Sequence, residues 1–118
     1  MDIQKASITN KPWGKEELLV KTDKYAVKRI TINAGCRMSL QYHEVKEETI
    51  YVLEGVLIVW KSEDMHDHFT VMPGDTYHVK PNVIHRFGSP EQLDTVIIEC
   101  STIELDDVVR LADDYNRN

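Results

Sequence analysis

Two imidazoles, a carboxylate and a carboxamide stand in this chain at spacings that can bring them to one point: Gln41, His43, Glu48 and His85. Alternate side chains of a strand share a face, so Arg37, Ser39, Gln41 and His43 project together while Met38, Leu40 and Tyr42 project to the other side. Glu48 opens the next strand and faces Gln41 and His43 across the intervening turn. His85 comes from a later strand, after the turn at Pro81-Asn82. A mixed nitrogen and oxygen set of this kind suits one divalent ion, Zn first and Mn, Fe or Ni as alternatives, better than Ca or Cu(I). Spacing alone leaves the bland alternative open, because a strand histidine also serves as a surface or hydrogen-bonded residue. His66 and His68 flank Asp67 in a polar loop and read as solvated, and His78 is out of phase with Tyr77 and Val79.

The elements that must position these residues are strands. β-Branched and aromatic runs are expected as strands near 16–20, 25–32, 37–43, 49–53, 56–61, 68–71, 76–79, 83–87 and 93–100. Turn residues punctuate them at Ala34-Gly35, Glu54-Gly55, Met72-Pro73-Gly74-Asp75, Pro81-Asn82 and Gly88-Ser89-Pro90. Strand phase puts Leu40, Val52, Ile58, Val71, Val79, Ile84 and Ile97 in the core. After Cys100, Leu105, Val108, Val109 and Ala112 recur at helical spacing, which predicts a short C-terminal helix capped by Ser101 or Thr102 and covering one end of the barrel.

At 118 residues the chain has room for one core and is expected to be a single domain over 1–118. Its formal charge of −6 and lack of a basic stripe argue against nucleic acid. A small anionic substrate needs only a few local cations, and Lys28, Arg29, Arg37, Lys46, Arg86 and Arg110 are candidates. Met1 to Ser7 lack the apolar centre of a signal peptide and no apolar run can span a bilayer, so a cytoplasmic protein without membrane contact is expected. Cys36 and Cys100, in strand patterns without redox or metal spacing, read as buried free thiols. Exposed strand edges lead to the expectation of a homodimer.

Gly35, five residues, Gln41, one residue, His43, four residues, Glu48, six residues and Gly55 together resemble the first cupin motif, with Gln in place of its first His. Gly74-Asp75 through His85 is similar to the second motif. Lys11-Pro12-Trp13-Gly14, Val27-Lys28-Arg29, Ser39-Leu40-Gln41-Tyr42-His43, Tyr77 with Val83-Ile84-His85-Arg86, and Asp106 to Arg110 through Asp114-Tyr115-Asn116-Arg117 resemble more closely the type II phosphomannose isomerase domain. That domain is the cupin at the C-terminal end of bifunctional mannose-1-phosphate guanylyltransferases. The resemblance implies an all-β double-stranded β-helix, or jelly-roll barrel, with Gln41, His43, Glu48 and His85 as metal ligands. Val45-Lys46-Glu47-Glu48-Thr49-Ile50 departs from the family's His-Arg-x-Glu-His-Trp. Lys46-x-Glu48 is instead similar to the Lys-Pro-Glu of type I phosphomannose isomerases, and Asp107-Val108-Val109-Arg110 to their Asn-Val-Val-Arg segment.

The implied activity is aldose–ketose isomerisation of a hexose phosphate, as between mannose 6-phosphate and fructose 6-phosphate. Lys46 and Arg110 are the catalytic candidates, Arg37, Arg86 and Lys28 the substrate-binding ones, and the proton-transfer base is left open. Two alternatives come from other classes: a non-catalytic sugar-binding or regulatory cupin, and a cupin enzyme with another metal-dependent reaction.

Overall fold

The computed structural model describes residues 3–117, and the alternation of apolar and polar residues between turns folds there as eleven strands. In chain order they are β1 Ser7–Lys11, β2 Gly14–Lys21, β3 Ala26–Ile32, β4 Leu40–Tyr42, β5 Glu48–Glu54, β6 Leu57–Trp60, β7 His68–Val71, β8 Thr76–Val79, β9 Arg86–Gly88, β10 Thr95–Ser101 and β11 Val109–Ala112. All named pairings are antiparallel. Six strands form one sheet in the order β1-β2-β3-β10-β5-β8, three form β7-β6-β9, and two form β11-β4.

The sheets close on one another through their inner faces. Ile30 and Ile32 of β3, Ile50 and Val52 of β5, Val79 of β8 and Ile97 of β10 pack in one buried cluster with Leu57, Val59, Val71 and Phe87 of the smaller sheet and with Trp13 from the β1–β2 turn. Side chains of this size typically contribute about 1.5–3 kcal/mol each on burial, which is what holds the two layers together. The tight turns depend on left-handed backbone at a few places. Gly55, at φ 78°, joins β5 to β6, and a Cβ there would lie 2.3 Å from the Asp94 carbonyl oxygen, so only glycine fits. Asn82, at φ 67°, turns the chain back toward β9.

The jelly roll is as expected, and several details differ. No helix forms among the described residues. The segment predicted as a C-terminal helix turns at Leu105 and Asp106 and then runs as β11 along β4, with Val109 opposite Tyr42, Arg110 opposite Gln41 and Ala112 opposite Leu40. Paired aspartates and β-branched valines are weak helix formers, and β4 offers an open ladder edge that the segment completes. β1 is a strand that the sequence pattern did not announce.

In the core, Leu40, Val52, Val71, Val79 and Ile97 are buried as expected, while Ile58 is only half-buried and Ile84 is 41% exposed. The Gly55 turn sets β6 so that Leu57 and Val59 face inward, and a phase error of one residue reverses a strand. Both cysteines are free thiols, but Cys36 is half-buried and Cys100 is exposed on the outer face of β10, so neither is the buried thiol expected.

Candidate metal centre and its cavity

His43, Glu48 and His85 converge as the positions of their strands dictate. Gln41 on β4 and His85, just before β9, are cross-strand partners that exchange two backbone hydrogen bonds of 2.9 Å. His43 follows β4 by one residue, and Glu48 is the first residue of β5. The possible ligand atoms of His43, Glu48 and His85 all lie within 4.8 Å of one another, and all three residues are buried.

The tautomers follow from the hydrogen bonds. His43 Nδ1 donates to the Asp107 carbonyl at 2.6 Å and His85 Nδ1 donates to the Val83 carbonyl at 2.9 Å. A carbonyl can only accept, so each Nδ1 carries the proton and each Nε2 of the neutral ring is left with a lone pair. Both Nε2 atoms are buried without a hydrogen-bond partner. His43 Nε2 does sit 2.8 Å from Glu48 Oε1, and His85 Nε2 sits 3.8 Å from it, but neither approach has hydrogen-bond alignment. With both rings neutral, two lone pairs face a carboxylate, and a cation between them relieves that arrangement, whether a metal ion or a proton on His43 Nε2. Nδ1 to carbonyl with Nε2 aimed inward is the arrangement that orients histidines on a metal ion. The donor set therefore fits a divalent ion held by His43, Glu48 and His85. Gln41 belongs to the same cavity wall, its amide oxygen held at 2.6 Å by the Ser39 hydroxyl.

The charges respond accordingly. Burial opposes ionisation of Glu48, yet His43, Lys46 and His85 together hold its carboxyl down at about 2. Burial likewise opposes a charge on His43, but Glu48 outweighs it and raises the proton affinity of the ring. For His85 burial wins and lowers it.

The residue that organises this corner was not evident from the sequence. Asp107 accepts backbone N–H bonds from Glu44 at 3.1 Å, Val45 at 2.7 Å and Lys46 at 2.9 Å, while its own carbonyl holds His43. These three donors, Lys46 first, lower its carboxyl below the usual range. Its sequence signals were an acid in a segment assigned to a helix and its place in the Asp107-Val108-Val109-Arg110 resemblance, neither of which points to this role. Asn82 N–H, from the β8–β9 turn, bonds the His43 carbonyl at 2.6 Å and ties that turn to the same place.

Two residues of the centre, His43 and Glu48, line a cavity of about 370 Å³ together with Gln41. Lys46, Lys28 and Arg110, three of the cations singled out in the sequence, line it, as do Lys11 and Arg117. Lys46 is buried, with Nζ 3.0 Å from Glu99 and 3.9 Å from Glu48. Lys28 Nζ is 2.7 Å from Glu16. Arg110 stands opposite Gln41, and its Nε is buried with no hydrogen-bond partner. Arg37 and Arg86 are placed elsewhere. Arg37 forms a two-pronged bond to Asp114, at 2.6 and 3.0 Å, and lies over Trp60. Arg86 is buried, donating to the carbonyls of Met38 at 2.9 Å and Ala112 at 3.2 Å. Neither lines the cavity, and both fasten the C-terminal segment to the barrel. His66 and His68 are exposed, and His78 bonds Glu47 and Thr49 on the outer surface.

Comparison with known proteins follows the same lines. The sequence profile of the family described as mannose-6-phosphate isomerase C-terminal matches residues 2–113. The chain is 32% identical over 110 residues to a mannose-1-phosphate guanylyltransferase of Escherichia coli K12, covering 91% of this chain and 22% of that protein. It is 29% identical over 104 residues to one of Salmonella muenchen, covering 86% and 21%. The chain thus spans about a fifth of the length of the curated relatives it matches. Among solved structures it is similar to KdgF from Halomonas sp., with a TM-score of 0.69 at 18% identity over 81% of this chain and 86% of that one. A cupin sugar phosphate isomerase from Silicibacter pomeroyi gives a TM-score of 0.65 at 19% identity over 77% and 60%. These structural likenesses show the fold, a cupin double-stranded β-helix.

Proposed function

The chain belongs to the mannose-6-phosphate isomerase C-terminal family, and from that membership we propose that it is a metal-dependent isomerase interconverting an aldose and a ketose hexose phosphate, such as mannose 6-phosphate and fructose 6-phosphate. The observation that carries this reading is the pair of buried, unpartnered Nε2 atoms facing Glu48, beside a cavity that His43, Glu48 and Arg110 line. His43, Glu48 and His85, with Gln41 beside them, would hold a divalent ion, and such an ion would supply Lewis-acid polarisation of a sugar carbonyl or hydroxyl.

The remaining work falls to the chain itself. Arg110 offers guanidinium N–H donors to an anionic oxygen of the sugar phosphate. Lys28 and Lys11 add positive charge along the same wall, although Glu16 neutralises part of it. Lys46 balances the two buried carboxylates Glu48 and Glu99 and so keeps the cavity floor from accumulating negative charge. Burial of the floor excludes water from the reacting carbons. The same reading takes the protein as a cytoplasmic homodimer that handles a small molecule and neither nucleic acid nor membrane. Among the described residues no helix is long and apolar enough to cross a bilayer.

The test is metal analysis of gently purified protein, followed by a coupled assay for fructose 6-phosphate formed from mannose 6-phosphate. Metal at about one equivalent and turnover that is lost with a chelator support the reading. Metal-replete protein without turnover on any hexose phosphate refutes it. A second reading, a non-catalytic sugar-binding cupin, is favoured by one fact: relatives named for guanylyl transfer are some five times longer than the matched segment. Sugar phosphate binding without turnover identifies that case.

A further inference from the structure

We propose that Asp107 is a positioning residue that makes ion binding at the centre and seating of the C-terminal segment over the cavity one linked event. The inference rests on the metal-centre part of the reading above and not on which sugar is turned over. The loop 44–47 joins two of the candidate ligands, His43 and Glu48, so its shape sets how they approach one another. All four of its backbone N–H groups donate to side chains of the segment that follows β10. Glu44 donates to Asp107 Oδ1 at 3.1 Å, Val45 and Lys46 to Asp107 Oδ2 at 2.7 and 2.9 Å, and Glu47 to the Thr102 hydroxyl at 3.0 Å. The Thr102 N–H returns a bond to the Glu47 carbonyl at 3.0 Å. A loop whose N–H groups all find their acceptors in one distant segment takes its shape from that segment. The Asp107 carbonyl accepts from His43 Nδ1 at 2.6 Å, so the same residue also aims the ring.

The segment itself is held lightly. No residue from Thr102 to Ala112 is fully buried. Its backbone bonds between Ile103 and Val108 are short-range turns, and its ladder is the pairing of β11 with the three-residue β4. Segments with few buried contacts open at a fraction of the free energy of global unfolding. This one nevertheless carries Leu105, Asp106, Val108 and Arg110, which line the cavity. When it lifts, the carbonyl leaves His43 and the loop N–H groups lose their acceptors, so ligand geometry and cavity wall are lost together. Linkage works in both directions. A seated segment tightens ion binding, and ion binding keeps the segment, with Arg110 opposite Gln41, in place. Asp107 is the joint, because the ligand loop, the His43 ring and the cavity wall meet at it.

The experiment uses metal-stripped wild type, Asp107→Ala and Asp107→Asn, with Zn²⁺ alone as the probe. Competition with a chromophoric chelator should show Asp107→Ala binding Zn²⁺ about 10- to 100-fold more weakly than wild type. Asp107→Asn, which keeps one acceptor oxygen, should recover part of that loss. Amide hydrogen exchange in β11 supplies a readout that a merely structural role would not move. In wild type Zn²⁺ should slow exchange across 109–112 by about tenfold or more, and in Asp107→Ala it should leave those amides unchanged. An Asp107→Ala protein that binds Zn²⁺ as tightly as wild type, or wild-type exchange at 109–112 that does not respond to Zn²⁺, overturns the linkage and leaves the metal centre standing. A wild type that takes up no Zn²⁺ overturns both the linkage and the reading of the centre on which it rests. If Asp107→Ala does not fold, wild-type exchange with and without Zn²⁺ decides alone.

Discussion

Lowering the pH on metal-stripped protein isolates the energetic part played by Glu48. Free glutamate titrates near 4.5, whereas Glu48 in the fold titrates at about 2 because His43, Lys46 and His85 surround its ionised form. A pKa below that of the unfolded chain means that the ionised form favours folding. The contribution is fully present above about pH 4.5 and is lost as pH falls through about 2. At roughly 1.4 kcal/mol per pH unit separating the two values, it amounts to on the order of 3 kcal/mol, of which about 2 kcal/mol is gone by pH 3. Urea unfolding at pH 6 and pH 3, followed by fluorescence of the buried Trp13, measures it in wild type and in Glu48→Gln. Wild type should lose about 2 kcal/mol more than the variant across that interval. Equal losses mean that Glu48 is not held by its neighbours as the geometry requires, and the reasoning about the centre fails with it.

Other outcomes follow from the same structure. His43→Ala or His85→Ala should abolish tight metal binding by elemental analysis, whereas His66→Ala, an exposed loop change, should leave it intact. Arg110→Ala should weaken mannose 6-phosphate binding in calorimetry by about 1–3 kcal/mol with metal content unchanged. Ile50→Ala, at a position with no solvent exposure, should cost about 2–5 kcal/mol in chemical denaturation.

The strands and the candidate cluster were legible because strand alternation and turn residues are local properties. Gln41, His43, Glu48 and His85 lie on or beside strands whose phase the sequence carries, and three of the four gather as a ligand cluster with Gln41 paired to His85. The errors came from treating the polar and apolar sides of the barrel as opposite faces. They are two regions of one interior: on β5 Glu48 of the candidate cluster and the core residues Ile50 and Val52 all point inward. By the same rule an inward His85 places its neighbour Ile84 outward, so the two expectations could not both hold. Arg86 and Arg37 were sound as cations but unreadable as to place, because their partners Asp114, Met38 and Ala112 are distant in sequence. Asp107 was hidden for the same reason. Its worth lies in three N–H groups some sixty residues away, and helical spacing around it was a coincidence of Leu105, Val108, Val109 and Ala112.

The pairing of β11 with β4 also makes the barrel and the candidate centre separable. Every strand of the six-stranded and three-stranded sheets lies at or before Ser101. The segment beyond it supplies the carbonyl that fixes the His43 ring, the carboxylate that gathers the N–H groups of Glu44, Val45 and Lys46, and the guanidinium opposite Gln41. A cut after Ser101 therefore removes no strand of either larger sheet, yet it releases the orientation of His43.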